Sequence, residues 1–215
     1  MPQGPFKPTC QFGAISKSPV PGVFSNNPSS LSLLVLDTFT AANGTQITSR
    51  ACDTGQTPAV GTGVAANATI TSNISVFSSA GVYYTASRAI RRITASYNSI
   101  QSANQDLVFY IANTGSFVTD SYFLRFNNGS SPSVFLMDLA VGVLSWTTGT
   151  ATGTWTSGTV EILPTAVGIT VTIVDGSLGT RVLTYAGAMR NSTSVYGGIN
   201  GNSASPCFDD LKLYG

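Results

Sequence analysis

Hydrophobic and polar residues alternate with a period of two along much of this 215-residue chain, which is the pattern of half-buried β-strands. Other short runs are apolar throughout and rich in β-branched and aromatic residues, as fully buried strands are. Turn residues recur about every ten positions, a spacing typical of β-sandwiches and barrels. The predicted strands span residues 31–39, 68–77, 82–84, 107–111, 122–126, 134–139, 160–163, 169–174, 181–185 and 208–214.

Turn composition predicts how some of these strands connect. The Asn-Asn-Gly-Ser-Ser-Pro segment at 127–132 predicts a hairpin with a longer loop, and Asp175-Gly176 predicts a tighter one. Asn43-Gly44 ends the first strand. One segment, 86–93, is a helix candidate because Ile90 and Ile93 would share a face. The pattern as a whole predicts an all-β protein.

The first thirty residues differ from the rest. They contain six of the ten prolines, and proline resists both helices and central strands. A solvated tail, a strap on the same domain and an arm docked on a neighbouring subunit all fit this composition. Large apolar side chains in a segment of this kind favour the docked arm. The predicted division is therefore an extended arm at 1–30 and a domain at 31–215, with arm anchors at Phe6, Phe12, Ile15, Val20, Val23 and Phe24.

Charged residues make up only 9% of the chain, against about 25% in typical proteins. The net charge of +1 gives no field that would attract nucleic acid, so we expect no nucleic-acid partner. No apolar run approaches the ~20 residues of a membrane span, and the start of the chain does not resemble a secretory signal. An uncharged polar surface is typical of proteins packed against other proteins, as in a virus particle or fibre. Cys10, Cys52 and Cys207 are interpreted as reduced thiols.

The chain has no histidine, which excludes Ser-His-Asp and Cys-His catalysis and most zinc sites. Glu161 is the only glutamate, and the other carboxylates stand singly except for Asp209-Asp210. Neighbouring strand residues point to opposite faces, so that pair is not expected to act on one substrate. We therefore predict a protein that is not an enzyme and needs no cofactor.

Motifs at both ends of residues 37–215 resemble the concanavalin A-like superfamily of lectin, glucanase and laminin-G-like domains. These motifs are Asp37-Thr38-Phe39 with Ala42-Asn43-Gly44-Thr45, the run 169–176, Val195-Tyr196-Gly197-Gly198-Ile199, and the closing Phe208-Asp209-Asp210-Leu211-Lys212-Leu213-Tyr214. The resemblance implies a jelly-roll β-sandwich whose first and last strands lie side by side. It also implies that Asp37 lies near Asp209 and Asp210. Glucanases of this family use two Glu flanking an Asp on one strand, which this chain lacks.

Three groups of residues are candidate sites. Asp37, Asp209 and Asp210 offer oxygen ligands to calcium, although carboxylates that accept backbone N–H groups are the favoured interpretation, so no metal is expected. Tyr83 and Tyr84 are adjacent, so one of them should face outward and could contact a glycan. Arg88, Arg91 and Arg92 form the one cationic cluster, interpreted as a solvated patch or as a contact to an acidic subunit.

Free-standing domains of this type with a proline-rich arm resemble bacteriophage virion proteins. The main hypothesis is a capsid decoration or cement protein, assembled in the host cytoplasm and located in the virion. Its partners would be the major capsid protein or tail components, and a homo-oligomer, with a trimer as the guess, is expected. The alternative is a tail-fibre or receptor-binding module that recognises host glycans; a glycan-cleaving enzyme is the third and least favoured hypothesis.

Overall fold

A computed structural model describes residues 31–98, 105–109, 121–127, 133–148, 155–201, 205–206 and 208–215. Sixteen strands and two short 3-10 helices, Ile47–Ser49 and Ala65–Asn67, make up the regular structure of this part of the chain. The strands are β1 (Leu33–Asp37), β2 (Ala59–Thr62), β3 (Ala68–Thr71), β4 (Ile74–Phe77), β5 (Ala80–Thr85), β6 (Arg92–Asn98), β7 (Gln105–Phe109), β8 (Tyr122–Asn127), β9 (Ser133–Asp138), β10 (Gly142–Thr148), β11 (Ser157–Thr165), β12 (Gly168–Asp175), β13 (Gly179–Ala186), β14 (Tyr196–Gly201), β15 (Ser205–Pro206) and β16 (Phe208–Tyr214).

The strands form two large antiparallel sheets and a small one. The six-stranded sheet has the order β1-β16-β6-β11-β12-β13, and the seven-stranded sheet has the order β10-β9-β8-β7-β14-β5-β2. A three-stranded sheet, β15-β4-β3, completes the set. Many neighbours in space are distant in sequence, as in β6 between β11 and β16, which is the crossing connectivity of a jelly roll.

The two large sheets share one hydrophobic core. Phe126 on β8 lies with its ring centroid 5.0 Å from that of Tyr97 on β6 and 5.9 Å from that of Phe208 on β16. Trp155 packs edge-on against the same phenylalanine at 5.6 Å and is fully buried. Because these contacts join opposite sheets, the molecule is a β-sandwich, and the predicted all-β jelly-roll sandwich is confirmed.

The first and last strands pair as the resemblance implied. β1 and β16 run antiparallel, with Asp37 opposite Leu211. A β-bulge interrupts β16 between Asp209 and Lys212, where Asp210 has a φ of +49°. The extra residue shifts the alternation, so Phe208 and Leu211 both face the core although they are three positions apart.

Two secondary-structure predictions are wrong. The helix predicted at 86–93 does not form: residues 86–91 are irregular and β6 begins at Arg92. Ile90 and Ile93 are both buried, but Ile90 belongs to the connection and Ile93 to a strand that alternates strictly. The strand predicted at 68–77 is a hairpin instead, because Ser72 and Asn73 both adopt positive φ and turn the chain between β3 and β4.

Other strand predictions are confirmed with small shifts. The 127–132 segment separates paired strands β8 and β9, and Asp175-Gly176 opens the turn between β12 and β13. Strands β2, β6, β10 and β15 were not predicted. Residues 1–30, and with them the arm and its six anchors, lie outside the described residues. Cys52 is free and buried, while Cys10 and Cys207 also lie outside the described part. No helix within the described ranges is long and apolar enough to cross a membrane.

Candidate ligand-binding face

The outer face of the seven-stranded sheet carries an apolar row that crosses five strands. Tyr83 on β5 lies beside Gly198 on β14, which lies beside Val108 on β7, and the row continues to Phe123 on β8 and Met137 on β9. Val108 and Phe123 are buried beneath their partly exposed neighbours, which include Tyr196. They are separate from the main core, so the sheet has a second, smaller apolar layer on its outer side.

Gly198 keeps this row closely packed. A Cβ atom at this position would lie 2.1 Å from the carbonyl oxygen of Val82 and 2.8 Å from the Cα of Tyr83. Because both atoms belong to the backbone of β5, no larger residue fits without separating the two strands. The glycine thus leaves no side chain directly opposite Tyr83 on β14.

A polar row runs parallel to the apolar one. On each strand its residue lies two positions away from the residue of the apolar row, on the same face of the sheet. Asn200 on β14 is opposite Asp106 on β7, which is opposite Arg125 on β8. The guanidinium of Arg125 donates two hydrogen bonds to the Asp106 carboxylate, at 2.8 and 2.9 Å, and the Asn200 amide donates a third at 3.1 Å. Phe135 on β9 continues this row.

The charges of this row cancel. Asp106 is completely buried, and a buried carboxylate needs a paired cation and hydrogen-bond donors. Arg125 supplies both, and its hydrogen bonds to Asp106 raise the pKa of its guanidinium above the ordinary value. The guanidinium also lies 5.7 Å above the ring of Phe123, which links the polar row to the apolar one. One quarter of the Arg125 side chain remains exposed to solvent.

Tyr83 and Tyr196 form the aromatic end of this surface. Their ring centroids are 5.8 Å apart with an interplanar angle of 86°, an edge-to-face arrangement that fixes both rings. Both side chains are half-buried. We call the surface formed by Tyr83, Tyr196, Met137, Arg125 and Asn200 the aromatic–polar face.

This face combines the two kinds of group that recognise polyhydroxyl compounds. Half-exposed rings offer apolar surface, while planar amide and guanidinium groups donate hydrogen bonds in fixed directions. Asn200 retains a buried amide oxygen that accepts no hydrogen bond from the protein. Buried polar atoms usually have a partner, so this oxygen is an exception among the described residues of the face.

Tyr84 is not a glycan contact, because it is fully buried in the core. Its hydroxyl donates a 2.6 Å hydrogen bond to the Asp37 carboxylate, and burial raises its pKa well above the ordinary value. The adjacent Tyr83 points the other way and belongs to the aromatic–polar face. The alternation of strand residues therefore divides the predicted pair into one core residue and one surface residue.

Two of the three candidate calcium ligands, Asp37 and Asp209, have other partners. Asp37 is fully buried, pairs with Arg50 and accepts the backbone N–H of Phe39 at 2.8 Å. Asp209 accepts the backbone N–H of Asp210 at 2.8 Å. Burial and the nearby charges of Asp210 and Asp37 raise the pKa of Asp209, against the opposing effect of that N–H. Among the described residues no group of three or more metal-ligating side chains is suited to hold an ion.

The predicted arginine cluster is divided. Arg92 pairs with Glu161 at 2.6 Å and lies 5.0 Å above the ring of Tyr214 on the outer face of the six-stranded sheet. Arg91 is exposed and donates a hydrogen bond to the carbonyl of Ser192, and Arg88 is exposed nearby. Two of the three therefore form a solvated patch, while the third belongs to an ion pair.

Among the described residues, four of the eight carboxylates form ion pairs, and in each pair the guanidinium also lies over an aromatic ring. The pairs are Arg50–Asp37, Arg92–Glu161, Arg125–Asp106 and Arg190–Asp138. Their rings are Phe39, Tyr214, Phe123 and Tyr122, at 5.0 to 5.8 Å. Glu161, the residue nearest in type to a glucanase acid, is thus already engaged by a cation.

Sequence reasoning missed Asp106, Arg125 and Asn200. They lie on three strands separated by long stretches of sequence, and only the sheet register brings them together. The available signal was a charged residue inside each of two apolar strands, Asp106 beside Leu107 and Arg125 beside Leu124, because buried charges are normally paired.

No protein-family model matches the chain, and no curated protein matches it significantly. Several solved structures are similar to it. The exoplasmic/lumenal domain of VIP36, bound to Ca²⁺ and Man3GlcNAc, has a TM-score of 0.47 and 10% identity over 74% of this chain and 82% of that one. Domain 4 of AbnA, a GH43 extracellular arabinanase from Geobacillus stearothermophilus in complex with arabinotriose, has a TM-score of 0.47 and 12% identity over 86% and 92%. Lectin I-B4 from Griffonia simplicifolia has a TM-score of 0.40 and 8% identity over 90% and 95%.

Proposed function

We propose that this chain is a non-catalytic recognition module that binds a neutral oligosaccharide on the aromatic–polar face. One observation carries the proposal: half-exposed tyrosine rings and a row of planar polar groups whose charges cancel share the outer face of the seven-stranded sheet. A sugar presents apolar C–H faces and hydroxyl edges, so both kinds of surface have a counterpart on the ligand. Glycan recognition was part of the alternative hypothesis predicted from the sequence, and we favour it over the capsid role.

The neutral class of ligand follows from the charges on the face. Asp106 and Arg125 compensate each other, and Asn200 adds no charge. A sialylated or sulfated glycan would therefore gain no attraction from a free cation among the described residues of this face. It would also lose hydration of its own charge on binding, which disfavours it relative to a neutral glycan.

We also propose that the aromatic–polar face does not cleave the glycan that it binds. Hydrolysis by a retaining mechanism needs two carboxyl groups about 5–5.5 Å apart, one of them able to donate a proton. Asp106, the carboxylate of this face, is fully buried and accepts three hydrogen bonds from Arg125 and Asn200. Both of its carboxylate oxygens are therefore engaged within the protein.

Binding to an array of neutral, sialylated and sulfated oligosaccharides tests the proposal. We expect the wild-type chain to bind neutral structures, and Tyr196→Ala and Arg125→Gln to reduce that binding at least ~10-fold, the effect of losing a central contact. Arg92→Gln is the matched control, because Arg92 also pairs with a carboxylate and covers a ring, but on the other sheet. Preference for charged glycans, absence of neutral binding, or an equal loss in the control would contradict the proposal.

A role in a virus particle stays a prediction. It depends on the arm at residues 1–30 and its anchors, which lie outside the described residues, and on virion proteins as partners. The low charge of the chain supports it, since a surface without charge is suited to packing against other proteins. The two roles are compatible, because an arm could attach the module to an assembly while the aromatic–polar face binds a glycan.

A further inference from the structure

Four connections between strands meet at one end of the β-sandwich. They are residues 86–91 between β5 and β6, 139–141 between β9 and β10, 166–167 between β11 and β12, and 187–195 between β13 and β14. The last of them bonds two of the others through its backbone. The carbonyl of Ser194 accepts the N–H of Ile90 at 3.1 Å, and the N–H of Met189 donates to the carbonyl of Ala166 at 2.9 Å. We call the surface formed by these four connections the tip surface.

Two valines at turns on the tip surface are strongly exposed. Val141 is 75% exposed and Val167 is 73% exposed, the largest fractions among the described large hydrophobic residues. Each follows an exposed alanine in its turn. Turns between strands usually contain glycine, asparagine or aspartate, and β-branched residues are unusual there. Single exposed apolar residues are common in proteins, but these two turns carry the same departure at the same end of the molecule.

Neither turn depends on its valine side chain. Asp138 accepts the N–H of Ala140 with its carboxylate at 2.8 Å and the N–H of Val141 with its carbonyl at 3.2 Å. In the other turn, the hydroxyl of Thr165 accepts the N–H of Val167 at 3.2 Å. Such bonds from aspartate and threonine form a turn whatever side chain its tip carries. The two valine side chains are therefore directed to solvent without a role in folding the turns.

One short segment holds the two turns together. The N–H of Gly187 donates to the carbonyl of Val167 at 3.0 Å. Three residues later, the guanidinium of Arg190 pairs with the carboxylate of Asp138 and lies 5.8 Å from the centroid of the Tyr122 ring. Because Asp138 immediately precedes the 139–141 connection, both turns are attached to the 187–190 segment. Their tips consequently keep a fixed relative position.

The charge of the tip surface is positive. Its four connections contain three arginines and no aspartate or glutamate. Asp138 balances the charge of Arg190. Arg88 and Arg91 are exposed, and among the described residues neither is paired with a carboxylate. Two uncompensated cations therefore accompany the two exposed valines.

Carboxylates are found at the opposite end of the sandwich, where β1 ends and β16 begins. Asp53 is exposed there and accepts the N–H of Thr38, which follows β1, at 2.7 Å. Asp209 and Asp210 are partly exposed at the start of β16. The molecule thus has a positive and a negative end, although its net charge is only +1. An anionic surface would attract one end and repel the other, which gives the protein one orientation on that surface.

We infer that the tip surface binds an anionic lipid bilayer, with both valines inserted at the level of the headgroups and two arginines beside the lipid phosphates. Two separate tips suit a fluid surface, which needs no matching pocket. A specific protein interface buries at least about 1,000 Å² over a continuous patch, far more than the two tips offer. Anionic headgroups complement the exposed arginines. Contact of this kind stays at the surface and needs no membrane-spanning segment.

Cosedimentation of the full chain with vesicles tests the inference. The vesicles contain phosphatidylcholine alone or with about 30% phosphatidylserine, in about 0.1 M salt. Because two valines bury little apolar area, we expect binding to the anionic vesicles and at least ~10-fold weaker binding to the neutral ones. Arg88→Gln combined with Arg91→Gln should weaken binding to the anionic vesicles at least ~10-fold, since each basic residue near an anionic surface contributes to binding.

The apolar contribution is tested by a second pair of substitutions. Val141→Asp combined with Val167→Asp should weaken binding to the anionic vesicles at least ~10-fold. Val64→Asp is the matched control, because Val64 is 58% exposed in the connection after β2, outside the tip surface. The control should change binding less than ~2-fold. Thermal unfolding without lipid verifies that each variant is folded.

Fluorescence measures insertion independently. Val167→Trp should be quenched by vesicles with brominated acyl chains, and Val64→Trp should not. Absence of binding to the anionic vesicles would overturn the inference and leave a protein as the occupant of the tips. Binding that the tip aspartates leave unchanged, or that Val64→Asp reduces equally, would overturn it as well. None of these residues belongs to the aromatic–polar face and the vesicles carry no sugar, so the outcomes are independent of glycan binding.

Discussion

At the scale of single residues, buried carboxylates of this chain each accept hydrogen bonds from several elements. Asp175 is almost fully buried, and its two carboxylate oxygens accept the N–H groups of Ser177 and Leu178 and the hydroxyl of Tyr97. Asp37 bonds Arg50, Tyr84 and Phe39 in the same manner. A sequence with so few carboxylates therefore places most of them where backbone or cationic donors converge.

Removal of the Asp37 carboxylate should destabilise the protein strongly. Asp37→Ala leaves Arg50, whose side chain is only 15% exposed, without its counterion, which typically costs about 3–5 kcal/mol. Glu161→Ala removes the partner of Arg92 at a more exposed position and should cost less than about 1 kcal/mol. Urea unfolding of both variants measures the two losses in the free energy of unfolding. Equal losses would show that the buried ion pair of Asp37 does not stabilise the fold more than the exposed pair of Glu161.

Asp209 should make stability decrease as the pH rises. Burial and the charges of Asp210 and Asp37 raise its folded pKa above the unfolded value near 3.8. The folded state then binds the proton more tightly than the unfolded state, so deprotonation destabilises the fold as the pH passes from the unfolded pKa through the raised one. Asp209→Asn removes this effect and can still accept the Asp210 N–H. Relative to the wild type, the variant should therefore become more stable as the pH rises from 3 to 7. A difference in the free energy of unfolding that does not change with pH would contradict the raised pKa of Asp209.

At the scale of elements, strands were predictable where alternation or an apolar run was long. β12 and β13 follow their predicted ranges closely, and the Asp175 turn between them was recognised. β6 was misassigned because Ile90 and Ile93 have helical spacing, although only tertiary packing buries Ile90. The β3–β4 turn was missed because Ser72 and Asn73 are neither glycine nor proline. The buried residues have even numbers in β3 and odd numbers in β4, because the two-residue turn shifts the alternation by one position.

The β3–β4 turn gives a prediction at this scale. Ser72 has a φ of +52°, which is unfavourable for a residue with a Cβ atom. Ser72→Gly should stabilise the protein by about 0.5 kcal/mol, whereas Thr71→Gly in the neighbouring strand should destabilise it by about 0.5–1 kcal/mol. Thermal unfolding of the two variants distinguishes them. Stabilities that change in the same direction would contradict the assigned turn.

The candidate site was predictable only in part. Tyr83 was identified because one of two adjacent strand tyrosines must face outward. Asp106, Arg125 and Asn200 were not, because strand order and register determine their contact and neither is written in local sequence pattern. A resemblance to a jelly-roll family supplied the pairing of β1 with β16, but it supplied no register for the middle strands.

At the scale of the whole molecule, the two sheets differ in character. The seven-stranded sheet carries an apolar layer and a neutralised polar row on its outer side. The outer side of the six-stranded sheet is dominated by threonine on β12 and β13, with Val174 and Val182 exposed among them. Ligand recognition is proposed on the seven-stranded sheet alone.

Titration of isotopically labelled protein with the neutral oligosaccharide that binds best, followed by NMR, tests directly whether the aromatic–polar face binds a glycan. Chemical-shift changes are expected at Tyr83, Tyr196, Arg125 and Asn200, and none at Arg92 or Glu161. Changes confined to the six-stranded sheet, or no changes at millimolar sugar, would contradict binding at this face.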